Sequence, residues 1–134
     1  MIKYNELKVG DLVMVEYDGN KMEGEVTDLN GDEKQVCVET EAQDFWYETS
    51  QLFPIPLDEA QLFKLGFQKH ENEDGSVKYM KGAFRVLIHQ PNTFSDFEMW
   101  YREDRRHMNH ALSVHEFQNA YHDMTKIHLS KEQV

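Results

Sequence analysis

The stretch Leu7–Leu57, LKVGDLVMVEYDGNKMEGEVTDLNGDEKQVCVETEAQDFWYETSQLFPIPL, decides the fold. It alternates short β-prone runs with turn dipeptides, Asp18-Gly19 and Asn30-Gly31, and closes on an aromatic strand and a Pro-x-Pro exit. That pattern predicts one small curled antiparallel sheet, an SH3-like barrel over residues 1–57. Folds of this kind serve as binding platforms, so function has to be argued from a site rather than from the fold. In Leu12 to Tyr17, Val13, Val15 and Tyr17 share one face and Leu12, Met14 and Glu16 the other. Both faces begin apolar, so the outer face of this strand is expected to lie under the second half of the chain. Strands are expected over 22–29, 34–40 and 44–48, with Gly24 marking a bulge or bend.

Past Pro54-Ile55-Pro56 the pattern turns helical. Asp58 is the expected N-cap, Gln61 the far end of a capping box, and Gly66 the stop, with Phe67 folding back in a Schellman ending. An antiparallel meander follows, with strands at 66–70, 77–80, 83–89 and 97–102. Ser113 and Glu116 form a second capping box, opening a helix whose Val114, Phe117, Ala120, Tyr121 and Met124 make one apolar stripe. The whole is an α+β chain: residues 58–134 are a meander flanked by two helices and packed on the barrel.

The chain has 134 residues and a formal charge of -11. The first 100 residues hold 20 acids against 9 bases, and the remainder 5 of each. Repulsion from phosphate argues against nucleic acid as a ligand of the acidic part, which suits a basic partner instead. Cys37 is the only cysteine, so an intrachain disulfide and a four-thiolate zinc site are excluded. No apolar run is long enough to span a bilayer, and the first residues lack a signal-peptide core, so a cytoplasmic location with no membrane contact is expected.

Taken together, the Gly-Asp-Leu-Val opening, Pro54-Ile55-Pro56-Leu57-Asp58, Leu65-Gly66-Phe67 and Val114-His115-Glu116-Phe117-Gln118-Asn119-Ala120-Tyr121 resemble a group of small bacterial and prophage-associated proteins. Members of that group read roughly Pro-Ile-Pro-Leu-Thr, Phe-Gly-Phe and Val-His-Gln-Leu-Gln-Asn-Leu-Tyr. The likeness covers nearly the whole chain. Asp58 stands for the group's Thr, and Met124-Thr125-Lys126 replaces its Thr-Gly ending. The resemblance implies an architecture and a mobile-element origin, and it carries no activity.

Three constellations invite a function. Phe45 and Tyr47 share one side of their strand and Trp46 the other, among Asp44 and Glu48. If Phe45 and Tyr47 enter the core, Trp46 stands among carboxylates, suited to a cationic side chain. With Tyr17 it could line a ligand groove together with Tyr47; the competing reading packs Trp46 beneath the second half. On the last helix His115, Gln118, Asn119 and His122 share a face opposite the apolar stripe, expected to point outward as solvent surface or as a polar docking face. Asp104, His107 and His110 recur every three residues and could offer a metal one oxygen and two nitrogens if that segment were helical. The neighbouring Arg102, Arg105 and Arg106 repel a cation, so a solvated loop is the simpler expectation. No nucleophile elbow, phosphate loop, dinucleotide fingerprint or His-Glu-x-x-His motif is present. The sequence therefore points to a non-catalytic module that binds a protein and needs no cofactor. The alternatives are an acidic effector imitating nucleic acid and a small metal-dependent hydrolase. Oligomeric state is left open.

Overall fold

A computed structural model describes residues 2–132. These residues form two five-stranded antiparallel sheets and two α-helices. The first sheet holds β1 (Leu12–Tyr17), β2 (Asn20–Asn30), β3 (Gln35–Glu39), β4 (Asp44–Glu48) and β5 (Leu52–Phe53), in the order β4-β3-β2-β1-β5. Asp18 and Gly19 both take positive φ, so β1 and β2 join through a two-residue turn whose twist matches that of the strands. The sheet is strongly curled, because the rings of Tyr17 on β1 and Phe45 on β4 meet at 5.7 Å although two strands separate theirs. Among the described residues no ladder joins β4 to β5, so the sheet is not a closed barrel.

The bulge in β2 lies between Val26 and Asp28, not at Gly24 as the sequence led us to expect. Gly24 answers a different need. A Cβ built there would stand 2.5 Å from Val38 Cγ1 and 2.8 Å from the Glu39 carbonyl oxygen, so glycine lets β2 and β3 approach.

Helix α1 (Glu59–Lys64) starts where Asp58 accepts a hydrogen bond from the Gln61 N–H at 2.9 Å. The reciprocal half of that capping box is missing: Gln61 Nε2 donates to Glu23 on β2 at 2.9 Å, while Oε1, the atom that would accept from the Asp58 N–H, is buried without a partner. Gly66 has φ +92, the Phe67 N–H bonds to Leu62 O and the Gly66 N–H to Phe63 O, which is the Schellman ending. The second sheet is a simple meander of β6 (Gln68–Glu71), β7 (Val77–Lys81), β8 (Phe84–Ile88), β9 (Phe97–Tyr101) and β10 (Asp104–Met108). Strand β10 corrects the expectation of a solvated loop. It turns back at Arg102, which has positive φ, and half-buries Arg106 and Met108 on one face. Helix α2 (Val114–Thr125) opens with both halves of the Ser113–Glu116 capping box and lays Val114, Phe117, Tyr121 and Met124 on this sheet.

Each sheet has its own core. Val13, Val15, Val26, Val36, Val38, Tyr47 and Leu52 fill the first. Phe67, Tyr79, Phe84, Val86, Phe97, Met99 and Phe117 fill the second, which also takes Leu12 and Met14 from the opposite face of β1. β1 is thus a wall shared by both cores, as its two apolar faces required. The Pro-x-Pro segment adds a backbone seam to the start of α2: the Leu57 N–H bonds to Leu112 O, and the Val114 N–H to Ile55 O at 2.8 Å.

Candidate functional site

The polar face of α2 turns inward. His115 and Gln118 are each 2 % exposed, which corrects the outward orientation expected for this face. Before β1 the Gly10 N–H and Asp11 O pair with Val26 of β2, and α2 supplies partners for Glu6 O, Gly10 O and the Leu12 N–H. Gln118 accepts from the Leu12 N–H and donates to Gly10 O and Leu129 O, each at 2.8 Å. Asn119 donates to Glu6 O at 2.8 Å and lies 3.4 Å from the Asp11 carboxylate. His115 sits between the Ser113 hydroxyl at 3.1 Å and Glu6 Oε2 at 3.4 Å. His122 stacks on His128 at 4.3 Å and places Nδ1 3.4 Å from Lys8 Nζ. Its partial burial, with the His128 and Lys8 charges, holds the imidazole below its ordinary pKa. Asp11 is 3 % exposed, and burial raises its carboxyl to about 7 despite the donors at Lys8 and Asn119. His115 is therefore taken up inside the chain, while Asn119 and His122, each half-buried, are tied to the segment before β1 through Glu6, Asp11 and Lys8.

The three aromatics expected to share one groove are divided by the sheet. Tyr47 is buried at 2 % in the first core, and burial, with Tyr17 and Cys37 nearby, raises its phenol pKa. Phe45 lies on the same face but is 42 % exposed, set between Tyr47, edge-on at 5.4 Å, and Tyr17, itself 52 % exposed. The reason is position: Val38 and Val36 back Phe45 and Tyr47 across the ladder, and Phe45 sits one step nearer the open mouth of the curl. Trp46 projects from the opposite, convex face, opposite Cys37 and between Asp44 and Glu48, at 40 % exposure. It is not packed beneath the second half. Tyr17 and Trp46 thus flank β4 from its two sides instead of converging.

Strand geometry disperses Asp104, His107 and His110. Successive residues of β10 alternate faces, so Asp104 and His107 point apart, and His110 lies beyond the strand. Asp104 pairs with Arg106 at 3.3 Å, His107 with Asp96 at 2.7 Å, and His110 lies 3.2 Å from Asn109. Among the described residues no group of three His, Cys, Asp or Glu side chains is placed to hold a metal ion. The basic cluster also has partners within the chain: Arg105 binds the buried Glu98 at 2.7 Å through Nε and stacks on Trp100 at 4.7 Å.

Sequence reasoning missed a cleft of about 830 Å³ between the two halves, lined by Leu12, Met22, Glu23, Glu25, Glu39, Glu41 and Lys64 among others. Glu25 and Glu39 face each other across the β2–β3 ladder, and burial together with Glu39 raises the Glu25 pKa. The alternation of Glu23 and Glu25 was the available signal, but it also describes an ordinary solvated strand. Among the described residues no helix is long and apolar enough to cross a membrane. Compared with models of known families, with curated proteins and with solved structures, the chain finds no match.

Proposed function

We propose that this chain is a non-catalytic, cytoplasmic protein-interaction module of the SH3-like type, recognising a basic partner through the β4 strand of segment 1–57, with segment 58–134 as its support. The observation that carries this reading is the exposure of three aromatic side chains, Tyr17, Phe45 and Trp46, around one strand that also carries Asp44 and Glu48. Exposed aromatics flanked by carboxylates suit lysine or arginine side chains, through ring contact and charge together. Five short antiparallel strands, with β5 returned beside β1 and the inner rows of β1 and β4 in contact, support the SH3-like assignment. A prophage-associated origin fits the resemblance in the Pro54–Asp58 and Val114–Tyr121 strings. The test is affinity capture from an extract of the native host with the wild-type chain, Phe45→Ser and Trp46→Ser. Loss of the same protein from both variants, with their thermal midpoints unchanged, is the expected result; identical capture by all three contradicts it.

A second reading draws on the cleft. Its glutamates, Glu23, Glu25, Glu39 and Glu41, could occupy a basic nucleic-acid-binding protein in place of phosphates. Competition between this chain and DNA for such a protein, lost when the four are changed to glutamine, is the distinguishing observation.

A further inference from the structure

We propose that the free edge of β4 takes up an extended, lysine- or arginine-bearing segment of a partner as an added β-strand. This deepens the reading above and rests on it, since it names how that surface holds its partner. Among the described residues β4 ends the sheet and has a ladder on one side only, to β3. The Thr40 N–H bonds to Gln43 O at 3.0 Å and closes the hairpin, so strict antiparallel alternation makes Val38–Phe45 and Val36–Tyr47 the hydrogen-bonded pairs. Asp44, Trp46 and Glu48 then direct their backbone N–H and C=O groups away from β3. Glu48 is satisfied locally, its N–H bonding to Gln51 Oε1 at 3.0 Å. Asp44 and Trp46 are left with outward backbone groups at an edge where all the surrounding residues from Glu41 to Trp46 are exposed. Edges of this kind are templates for strand addition unless they are blunted.

The side chains specify the occupant. On the convex face an added strand would meet Trp46 between Asp44 and Glu48, which calls for basic residues at every second position. On the concave face it would meet Phe45 beside Tyr17, which calls for apolar residues at the alternate positions. A second copy of this chain fits poorly. Antiparallel pairing of β4 with β4 about Trp46 would set Asp44 against Glu48 twice, like charges directly opposed.

The probe is acetyl-Val-Lys-Val-Lys-Val-Lys-Val-amide, titrated into the isotopically labelled full chain and followed by amide chemical shifts and hydrogen exchange. Saturable shifts at Asp44 and Trp46 are expected, with Trp46 amide exchange slowed about tenfold or more at saturation. The glutamate counterpart of the peptide should not bind, and a peptide N-methylated throughout its backbone should bind at least about tenfold more weakly, having lost its ladder. Equal binding of the N-methylated peptide overturns strand addition while leaving the interaction surface standing. Shifts confined to residues away from β4, or none, overturn the site. Concentration-dependent protection of Trp46 in the protein alone overturns the choice of occupant in favour of self-association. Failure of the broader reading is seen separately, in unchanged host capture by Phe45→Ser and Trp46→Ser.

Discussion

Gln118 on the last helix accepts a hydrogen bond from the backbone N–H of Leu12 on the first strand, 2.8 Å away in space and 106 positions away in sequence. The same amide donates to Gly10 O and Leu129 O, so one side chain satisfies three backbone groups at the junction of the two halves. Replacing it by the near-isosteric Met leaves all three unpaired in a buried setting. Gln118→Met should cost about 3 kcal/mol, at 1–3 kcal/mol for each orphaned group with partial relaxation. Denaturant unfolding reads the loss directly. Because β1 belongs to both cores, the transition should stay single.

Asp11 gives stability a pH dependence of defined sign. Its folded pKa of about 7 lies above the ordinary 3.8, so the folded state favours the protonated form. The resulting contribution is complete below about pH 4 and is lost as pH rises through about 7, amounting to about 4 kcal/mol at most for three units of difference. His122, whose pKa is lowered, acts in the opposite sense, removing stability as pH falls through its ordinary range. The informative quantity is therefore the difference between wild type and Asp11→Asn. The variant should gain on the wild type between pH 5 and pH 8, as measured by urea midpoints.

Gly24→Ala tests the close approach of β2 and β3. The added methyl group meets Val38 Cγ1 and the Glu39 carbonyl oxygen, and the backbone oxygen cannot swing aside. A loss of about 1–3 kcal/mol is expected, as for overpacking elsewhere. Gly75→Ala and Gly82→Ala are poor controls because both glycines have positive φ. Gly31→Ala, whose Cβ would have no atom nearer than the Tyr4 hydroxyl at 3.7 Å, should change stability little.

Arg105 is expected to matter through Glu98, not through phosphate. Glu98 is 6 % exposed and depends on the guanidinium, since its other basic neighbour, His89, is 3.5 Å away and charged only when protonated. Arg105→Met should destabilise the chain by about 3 kcal/mol by leaving a buried carboxylate unpaired, and Glu98→Gln in the same background should recover much of that. A double-mutant cycle on thermal midpoints measures the coupling.

What the sequence revealed and what it concealed divide by range. Asp58, Gly66, Ser113 and Glu116 act within four or five residues, and their caps stand where the local rules put them. The two apolar faces of Leu12–Tyr17 foretold a strand covered on both sides. The polar face of α2 misled because periodicity sorts residues only into apolar and polar, and it cannot tell a polar side chain facing water from one completing the hydrogen bonds of a distant irregular segment. β10 was obscured by its charges: an edge strand carrying Asp104, Arg105, Arg106 and His107 reads as a loop, although such charge is what protects an edge from pairing. Phe45 and Tyr47 were placed on one face, but their difference in burial comes from the curl of the sheet, which local alternation does not encode.

The central claim, that the surface around β4 binds a basic segment, is tested most directly by the fluorescence of Trp46 in a Trp100→Phe background, titrated with the alternating Val-Lys peptide. We expect a saturable change at low ionic strength that fades near 1 M salt, where the screening length is about 3 Å. A flat titration at low salt, with the fold intact by circular dichroism, would contradict it.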